Sequence, residues 1–129
     1  TATVAALVVA NPLGAIVDPA DGRPLAGAAS DAAELPRAFG AAGRNTTLVV
    51  AATDAPLDKA GCRALATAAH AGIARAVRPS HTPYDGDAAF VLSTGAGRSV
   101  APARLAMALQ EVVVRSLVRA AGSGPSDAG

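Results

Sequence analysis

The chain has 129 residues, of which 51% are hydrophobic, and a formal net charge of +1 at pH 7. This length and apolar content suit one small globular domain and exclude a disordered or fibrous protein. Arginine is spread along the chain without a basic cluster or an aromatic platform, which argues against nucleic acid as a partner. No apolar run reaches the roughly 18 to 20 residues of a membrane-spanning helix, so no membrane is expected as a partner.

The amino-acid composition also constrains the core and the compartment. Alanine dominates, and the aromatic residues are Phe39, Tyr84 and Phe90, so we expect a thin core of small side chains that depends on neighbours. Cys62 is the one cysteine, which excludes an intrachain disulfide and a cysteine-based zinc site. We predict a buried thiol at Cys62 and a reducing, cytoplasmic compartment. The chain begins at Thr1 with strand-like sequence and no targeting segment, which we interpret as a fragment or a processed piece.

The first half of the chain predicts two buried strands joined by irregular segments. Residues 3–10 form a continuous apolar run, as in a strand buried on both faces, and a second such strand covers residues 46–53. Residues 13–17 could pair back as a short strand, and residues 18–24 indicate a turn. Residues 25–44 lack periodicity and are expected to be a loose connector with one helical turn.

The second half predicts two helices and a third strand. Asp58 is placed to cap a helix that runs to about Val77 and covers a sheet. Its predicted apolar face comprises Cys62, Leu65, Ala69, Ile73 and Ala76. A polar loop over residues 80–87 then leads to a strand over residues 88–94.

The last predicted helix begins at Pro102, and Gly122 should end it. Its predicted apolar face comprises Leu105, Leu109, Val112, Val113 and Ser116. The small and polar residues from about 123 onward are expected to form a disordered tail.

The start of the second strand is the strongest candidate for chemistry. Here Asn45 is followed by Thr46 and Thr47 and then by the apolar strand, an arrangement expected of a self-cleaving nucleophile. A threonine hydroxyl needs a base, and cleavage of the Asn45–Thr46 peptide bond would free the α-amine of Thr46 for that task. We therefore predict that Thr46 is the nucleophile. The alternative is that both threonines are ordinary β-branched residues of a strand.

Other polar motifs have simple structural interpretations when each is taken alone. Asp85-Gly86-Asp87 is typical of a hairpin turn, and the residues after it lack the further oxygen ligands of an EF-hand calcium loop. Asn11 before Pro12 is a common turn former. His70 is expected to be a solvated helix residue and His81 a hydrogen-bonding loop residue.

Taken together, several motifs of the chain resemble a known family. In order, they are Asn45-Thr46-Thr47, the turn over residues 52–57, residues 69–76 and residues 81–87, preceded by Asn11-Pro12-Leu13-Gly14. This set resembles the self-processing aminopeptidases, which include L-aminopeptidase/D-amidase-esterases, β-aminopeptidases and nylon-oligomer hydrolases. These enzymes are similar in chemistry to N-terminal-nucleophile hydrolases. The resemblance covers nearly the whole chain up to about Gly95.

The resemblance implies a fold and a domain organisation. A precursor would be cut before a serine or threonine into a large α subunit and a small β subunit, which fold together as a four-layer α-β-β-α sandwich with mixed sheets. The chain would then be α/β in class, with residues 1–45 as the end of the α subunit and residues 46–129 as the β subunit. Its partners would be the missing upstream part of its own α subunit, which supplies a lysine or tyrosine of the site, and further αβ units in a homo-oligomer.

The resemblance also implies roles for individual residues. Thr46 takes the nucleophile position, and Asn11 matches an asparagine whose side-chain amide helps hold the oxyanion. Asp85 and Asp87 match an acidic pair that orients the amine of the nucleophile and can bind the amine of a substrate. Three further matches carry no assigned role: His70, Arg75 and His81.

The activity implied by the resemblance is hydrolysis of short peptides or amino-acid amides from the amino end, through an acyl-enzyme on Thr46. No metal or organic cofactor is required. The residues leave open whether the substrate is an α-, β- or D-residue or an ω-amino oligomer.

Two other functional classes stay open at this point. Gly95-Ala96-Gly97-Arg98-Ser99 lies between a strand and a helix, as in a non-catalytic module that binds a phosphorylated small molecule. However, Val100 stands where a dinucleotide fingerprint needs a third glycine, and the phosphate-loop lysine is missing. An inactive assembly domain of the same fold is the other class, and the intact Asn45-Thr46 pair argues against it.

Overall fold

A computed structural model of the chain describes residues 1–27 and 45–122, which form two small sheets and two helices. The strands are β1 (Val4–Asn11), β2 (Ala15–Val17), β3 (Pro24–Ala26), β4 (Thr46–Thr53), β5 (Val77–Arg78) and β6 (Ala88–Ser93). The helices are α1 (Lys59–Ala76) and α2 (Pro102–Gly122). The α/β class predicted from the sequence is confirmed. Most of the predicted connector and the predicted tail lie outside the described residues.

The main sheet contains both long strands predicted in the first half of the chain. Its strand order is β1-β4-β6, so β4 is central. β1 runs antiparallel to β4, and β6 runs parallel to it, which makes this sheet mixed. The register opposes Asn11 to Thr46, so the end of β1 meets the start of β4.

The sequence suggested that residues 13–17 could pair back as a short strand, but β2 does not pair with β1. β2 instead joins β3 and β5 in a second, antiparallel sheet. The turn predicted over residues 18–24 connects β2 to β3, with Gly22 at a φ of 76°. Gly14 permits this arrangement, because a Cβ at this position would collide with the carbonyl oxygen of Pro79. The corner after Asn11 is therefore packed against the chain that leaves α1.

Helix α1 begins and ends close to the predicted residues. The Asp58 carboxylate accepts a hydrogen bond from the Gly61 N–H at 2.7 Å and caps the first turn. The helix ends at Ala76, because Val77 pairs with Ile16 in the second sheet. Its buried residues are Leu65, Ala69, Gly72, Ile73 and Ala76. Cys62 is only half-buried, so the predicted core thiol is wrong; the residue lies in the first turn, before the buried stripe begins.

Helix α2 begins at Pro102 and ends at Gly122, as predicted. Its buried residues are Leu105, Leu109, Val113, Val114 and Leu117. Val112 and Ser116 are half-buried, since four-residue steps from Leu105 bring the stripe to Val113 and Leu117 instead. Neither α1 nor α2 is long and apolar enough to cross a membrane.

The two helices approach each other closely where α1 carries Gly72. A Cβ at Gly72 would lie 2.9 Å from the Val113 Cβ and 3.0 Å from the Gln110 carbonyl oxygen of α2. The missing side chain therefore lets the two helices lie side by side on one face of the main sheet. The buried core of the described residues consists mainly of leucine, isoleucine and valine with some alanine, so the predicted core of small side chains is wrong.

The other face of the main sheet is not covered by any described residue. Side chains along β1, β4 and β6 alternate between a face packed on the helices and this open face. The large apolar side chains on the open face are 41% to 69% exposed: Leu7, Val9, Leu48, Val50, Phe90 and Leu92. The prediction that β1 and β4 are buried on both faces is therefore wrong for the described residues, since the two helices cover one face only.

The close helix contact leads to a prediction for Gly72→Ala. In an open helix position alanine is favoured over glycine by about 1 kcal/mol. Here the new methyl group overlaps α2, so we expect the free energy of unfolding to fall by about 1 to 3 kcal/mol. Urea denaturation of the full-length protein measures this change. Gly122→Ala is the control, because no atom of residues 1–27 or 45–122 lies within 4 Å of a Cβ there. Equal stability of the two variants would contradict the close approach.

Candidate active site

Asn11 and Thr46 lie next to each other at one end of the main sheet. They are directly opposed in the antiparallel pair of β1 and β4, so their side chains project from the same face. This is the open face, because residues two positions apart in a strand share a face. Thr46 shares its face with the exposed Leu48, and Asn11 shares its face with the exposed Val9. The structure thus brings together the predicted nucleophile and the predicted oxyanion donor.

Thr47 points to the opposite face of the sheet. Its side chain is fully buried on the helix side, and its Oγ1 has no hydrogen-bond partner among the described residues. A hydroxyl enclosed in this way cannot meet a substrate. Of the two adjacent threonines, Thr46 is therefore the one placed to react.

Two hydrogen-bond donors converge on the carbonyl oxygen of Asn45, which belongs to the Asn45–Thr46 peptide bond. The Thr46 hydroxyl donates to it at 2.6 Å, and the Gly86 N–H donates to it at 2.8 Å. An amide aimed at a carbonyl oxygen stabilises the negative charge that develops there during acyl transfer. The site therefore contains a backbone donor that the sequence analysis did not identify.

Gly86 lies against the Thr46 hydroxyl, so a larger residue here would press on it. A Cβ on Gly86 would lie 3.0 Å from the Thr46 Oγ1. The hairpin turn suggested for residues 85–87 is not formed, since Gly86 is not among the glycines with positive φ and Asp85 pairs with Asn45 in a parallel bridge. A glycine between two carboxylates was the signal in the sequence that could have indicated this donor. Only the fold shows that Gly86 lies against the start of β4.

The Asp85 carboxylate connects two loops beside the Asn45–Thr46 bond. Its Oδ1 accepts from the Leu13 N–H at 3.1 Å, and its Oδ2 accepts from both the N–H and the hydroxyl of Thr82, at 3.1 Å and 2.6 Å. Asp85 thereby ties the loop over residues 81–87 to the corner that follows Asn11. Thr82 was not predicted, although a hydroxyl residue three positions before a carboxylate, with a proline between them, is a turn signal.

The Asp87 carboxylate holds the start of β4 through a backbone amide. The Asp87 side chain is only 6% exposed. Its Oδ1 accepts from the Thr47 N–H at 2.8 Å, and its Oδ2 lies 2.8 Å from Nδ1 of His81. Asp87 thus contacts the residue after Thr46, and Asp85 pairs through its backbone with the residue before it. The Thr46 hydroxyl itself donates to Asn45 rather than to either carboxylate.

Two histidines form a contact beneath this loop. The ring centroids of His70 and His81 are 4.9 Å apart, and Nε2 of His81 lies 3.2 Å from the carbonyl oxygen of His70 on α1. Partial burial lowers the pKa of His70, His81 lowers it further, and Asp87 opposes the shift. The His70 ring is therefore neutral at neutral pH. Arg75, the third unassigned match, instead pairs with Glu111 of α2 at 3.4 Å, away from this cluster.

The glycine-rich segment before α2 is poorly suited to bind phosphate. The Gly97 N–H donates to the Asp54 carbonyl oxygen at 2.7 Å, so this amide is already used. A Cβ at Gly97 would lie 2.6 Å from the Asp54 Cγ, which means that a carboxylate group lies against this segment. An approaching anion would meet that negative charge. The geometry therefore does not favour the small-molecule-binding alternative.

Comparison with known proteins confirms the resemblance inferred from the motifs. Residues 1–127 match the profile of Peptidase family S58. The chain is 40% identical over 141 aligned residues to uncharacterized aminopeptidases of Mycobacterium tuberculosis and Mycobacterium bovis, with 97% of this chain and 40% of those proteins covered. An uncharacterized aminopeptidase of Mycobacterium leprae is 41% identical over 119 residues, with 83% of this chain and 33% of that protein covered. The chain thus spans well under half the length of these relatives.

The contacts of Asp85 lead to a prediction for Thr82→Val, which keeps the side-chain shape and removes the hydroxyl. Loss of this donor to a carboxylate should lower the free energy of unfolding by about 1 to 3 kcal/mol. Urea denaturation and amide hydrogen exchange at Leu13 measure the effect. The control is Thr67→Val, which removes an exposed hydroxyl that donates to the Arg63 carbonyl at 3.2 Å. If exchange at Leu13 does not change in Thr82→Val, Asp85 does not depend on Thr82.

Proposed function

The chain belongs to peptidase family S58, and from this premise we propose that it carries the nucleophile of a self-processing amide hydrolase. The proposed activity is hydrolysis of short peptides or amino-acid amides from the amino end. The observation that carries the proposal is the geometry of the Asn45–Thr46 peptide bond. Its carbonyl oxygen accepts from the Thr46 hydroxyl and from the Gly86 amide, on the open face of the sheet.

The proposed first reaction is cleavage of the chain at this bond. The Thr46 Oγ1 attacks the carbonyl carbon of Asn45, and the Gly86 N–H stabilises the negative charge that develops on the oxygen. As the C–N bond breaks, the hydroxyl proton passes to the nitrogen of Thr46 and an ester remains. Water hydrolyses this ester, which releases the Asn45 carboxylate and leaves Thr46 with a free α-amine.

The proposed second reaction is turnover of substrate by the new N-terminus. The α-amine of Thr46 takes the hydroxyl proton, and Oγ1 attacks the substrate carbonyl to form an acyl-enzyme. The Asn11 amide is the proposed oxyanion donor, which its position opposite Thr46 on the same face supports. Water then releases the acid, and no metal or organic cofactor takes part.

Asp85 and Asp87 have a supporting role in this proposal. Their contacts to Leu13 and to the Thr47 N–H hold the two strand ends beside each other. After cleavage, the freed amine of Thr46 places a positive charge near these carboxylates when it is protonated. We therefore assign them the orientation of that amine and the binding of the amine of an incoming substrate.

The open face of the main sheet supports a further part of the proposal, namely that a second sheet from the rest of the longer protein covers it. Six large apolar side chains are exposed there, and the family relatives are more than twice as long as the aligned segment. Such a layer would complete an α-β-β-α sandwich and bury this apolar area. Residues 1–45 would close the α subunit, and residues 46–129 would be the β subunit. We propose that these αβ units form a homo-oligomer in the cytoplasm.

The matched pair Thr46→Val and Thr47→Val tests the assignment of the nucleophile in the full-length protein. Thr46→Val should remain one uncut polypeptide and show no turnover of a panel of amino-acid p-nitroanilides. Thr47→Val should still be cut and active, because the Thr47 hydroxyl is buried and makes no hydrogen bond to a described residue. Intact-mass spectrometry detects the cut. A Thr46→Val protein that still splits after Asn45 would show that the nucleophile is misassigned, and a wild type inactive on the whole panel would contradict the aminopeptidase activity.

Phe90→Asp in the full-length protein tests whether a second sheet covers the open face. If a second sheet lies on this face, the new carboxylate is buried without a partner, and the free energy of unfolding should fall by about 3 kcal/mol or more. Met107→Asp is the control, because Met107 is 70% exposed on the outer side of α2. Surface changes of that kind stay within about 0.5 kcal/mol. Similar stabilities of both variants would mean that the face around Phe90 stays in water.

A further inference from the structure

His81 has an unusual backbone conformation next to the proposed site. Its φ is 53°, in the left-handed region that residues other than glycine seldom occupy. Such a conformation persists where surrounding contacts hold the residue in place. For His81 these contacts are made by the two nitrogens of its ring.

Both ring nitrogens of His81 face groups that accept hydrogen bonds. Nε2 lies 3.2 Å from the carbonyl oxygen of His70, and Nδ1 lies 2.8 Å from Oδ2 of Asp87. A carbonyl oxygen and an ionised carboxylate cannot donate, and a neutral imidazole has only one N–H. The shorter contact, to the Asp87 carboxylate, requires an N–H on Nδ1, so this ring nitrogen is the donor to Asp87.

Two titratable groups of the described residues contact the ring of His81. They are the carboxylate of Asp87, which directly precedes β6, and the ring of His70, which lies on α1. Burial lowers the pKa of His70, so this second ring is neutral at neutral pH. The Asp87 side chain is almost fully buried, so the loss of a hydrogen-bond donor to this carboxylate is costly.

We propose that His81 is a positioning residue for Asp87. Through its two ring nitrogens it links the carbonyl of His70 on the rigid helix α1 to the Asp87 carboxylate. The other oxygen of that carboxylate holds the Thr47 N–H, one residue beyond the nucleophile. His81 thereby fixes the start of β4 at the position where Thr46 reacts. This role rests on the proposed function, in which Thr46 is the nucleophile.

Two substitutions of His81 separate the ring contacts from the backbone conformation. Glycine accepts the positive φ and removes the ring. Asparagine also tolerates positive φ, and its side-chain nitrogen can take the place of Nδ1 opposite Asp87. In the full-length processed enzyme we expect His81→Gly to lower kcat by about 10-fold to 100-fold, as for a displaced reacting group, with a smaller change in KM. His81→Asn should recover most of that loss.

Amide hydrogen exchange at Thr47 provides a readout that does not depend on activity. His81→Gly should accelerate exchange at Thr47, because Asp87 is no longer held against this N–H, and His81→Asn should restore slow exchange. Exchange at Thr47 that is unchanged in His81→Gly overturns the proposal, as does accelerated exchange with wild-type kcat. Failure of the wild type to cut itself and to turn over any substrate overturns the proposed function instead. In that case, the exchange rates at Thr47 in the two His81 variants still test whether His81 positions Asp87.

Discussion

The antiparallel register between β1 and β4 is the constraint on which the site depends. It places Asn11 opposite Thr46, and the two-residue period of a strand then sends both side chains to the same face. A slip of one residue would exchange the faces of Thr46 and Thr47 and bury the Thr46 hydroxyl under the helices. The buried side chains of β4 prevent such a slip, since Val49 and Ala51 fill the core on the helix side. The core thus determines which threonine is presented.

The loop over residues 81–87 makes hydrogen bonds to the ends of β1 and β4 that this register brings together. Its Gly86 amide points at the Asn45 carbonyl oxygen, Asp85 reaches the corner after Asn11, and Asp87 reaches the Thr47 amide. The segment continues directly into β6, which lies parallel to β4, so the loop and the proposed cleavage bond are positioned by the same sheet. Charge-assisted hydrogen bonds of this kind are stronger than neutral ones, and they hold an irregular segment without a large core.

The main sheet has one face packed on the helices and one open face. This difference explains how a core with few aromatic side chains can stabilise the fold. On the helix side, small residues such as Gly72 and Ala69 let α1, α2 and the sheet approach closely. On the open side, an apolar surface ends beside Asn11 and Thr46, so a layer that covers this surface would also lie next to the proposed site.

Much of the fold could be predicted from the sequence, because local patterns determine local structure. The elements found where expected are the apolar runs of β1 and β4, the cap at Asp58, the start of α2 at Pro102 and the Asn45-Thr46 pair at the start of β4. The ordered motifs also identified Asn11, Asp85 and Asp87, which the structure brings to one end of the main sheet. Residue spacing could not show that β2 joins a second sheet, that Gly86 donates to Asn45 or that His81 bridges α1 and Asp87. These contacts join residues about 40 or more positions apart or depend on a left-handed backbone at a histidine, so only the tertiary structure, by packing distant segments against each other, decided them.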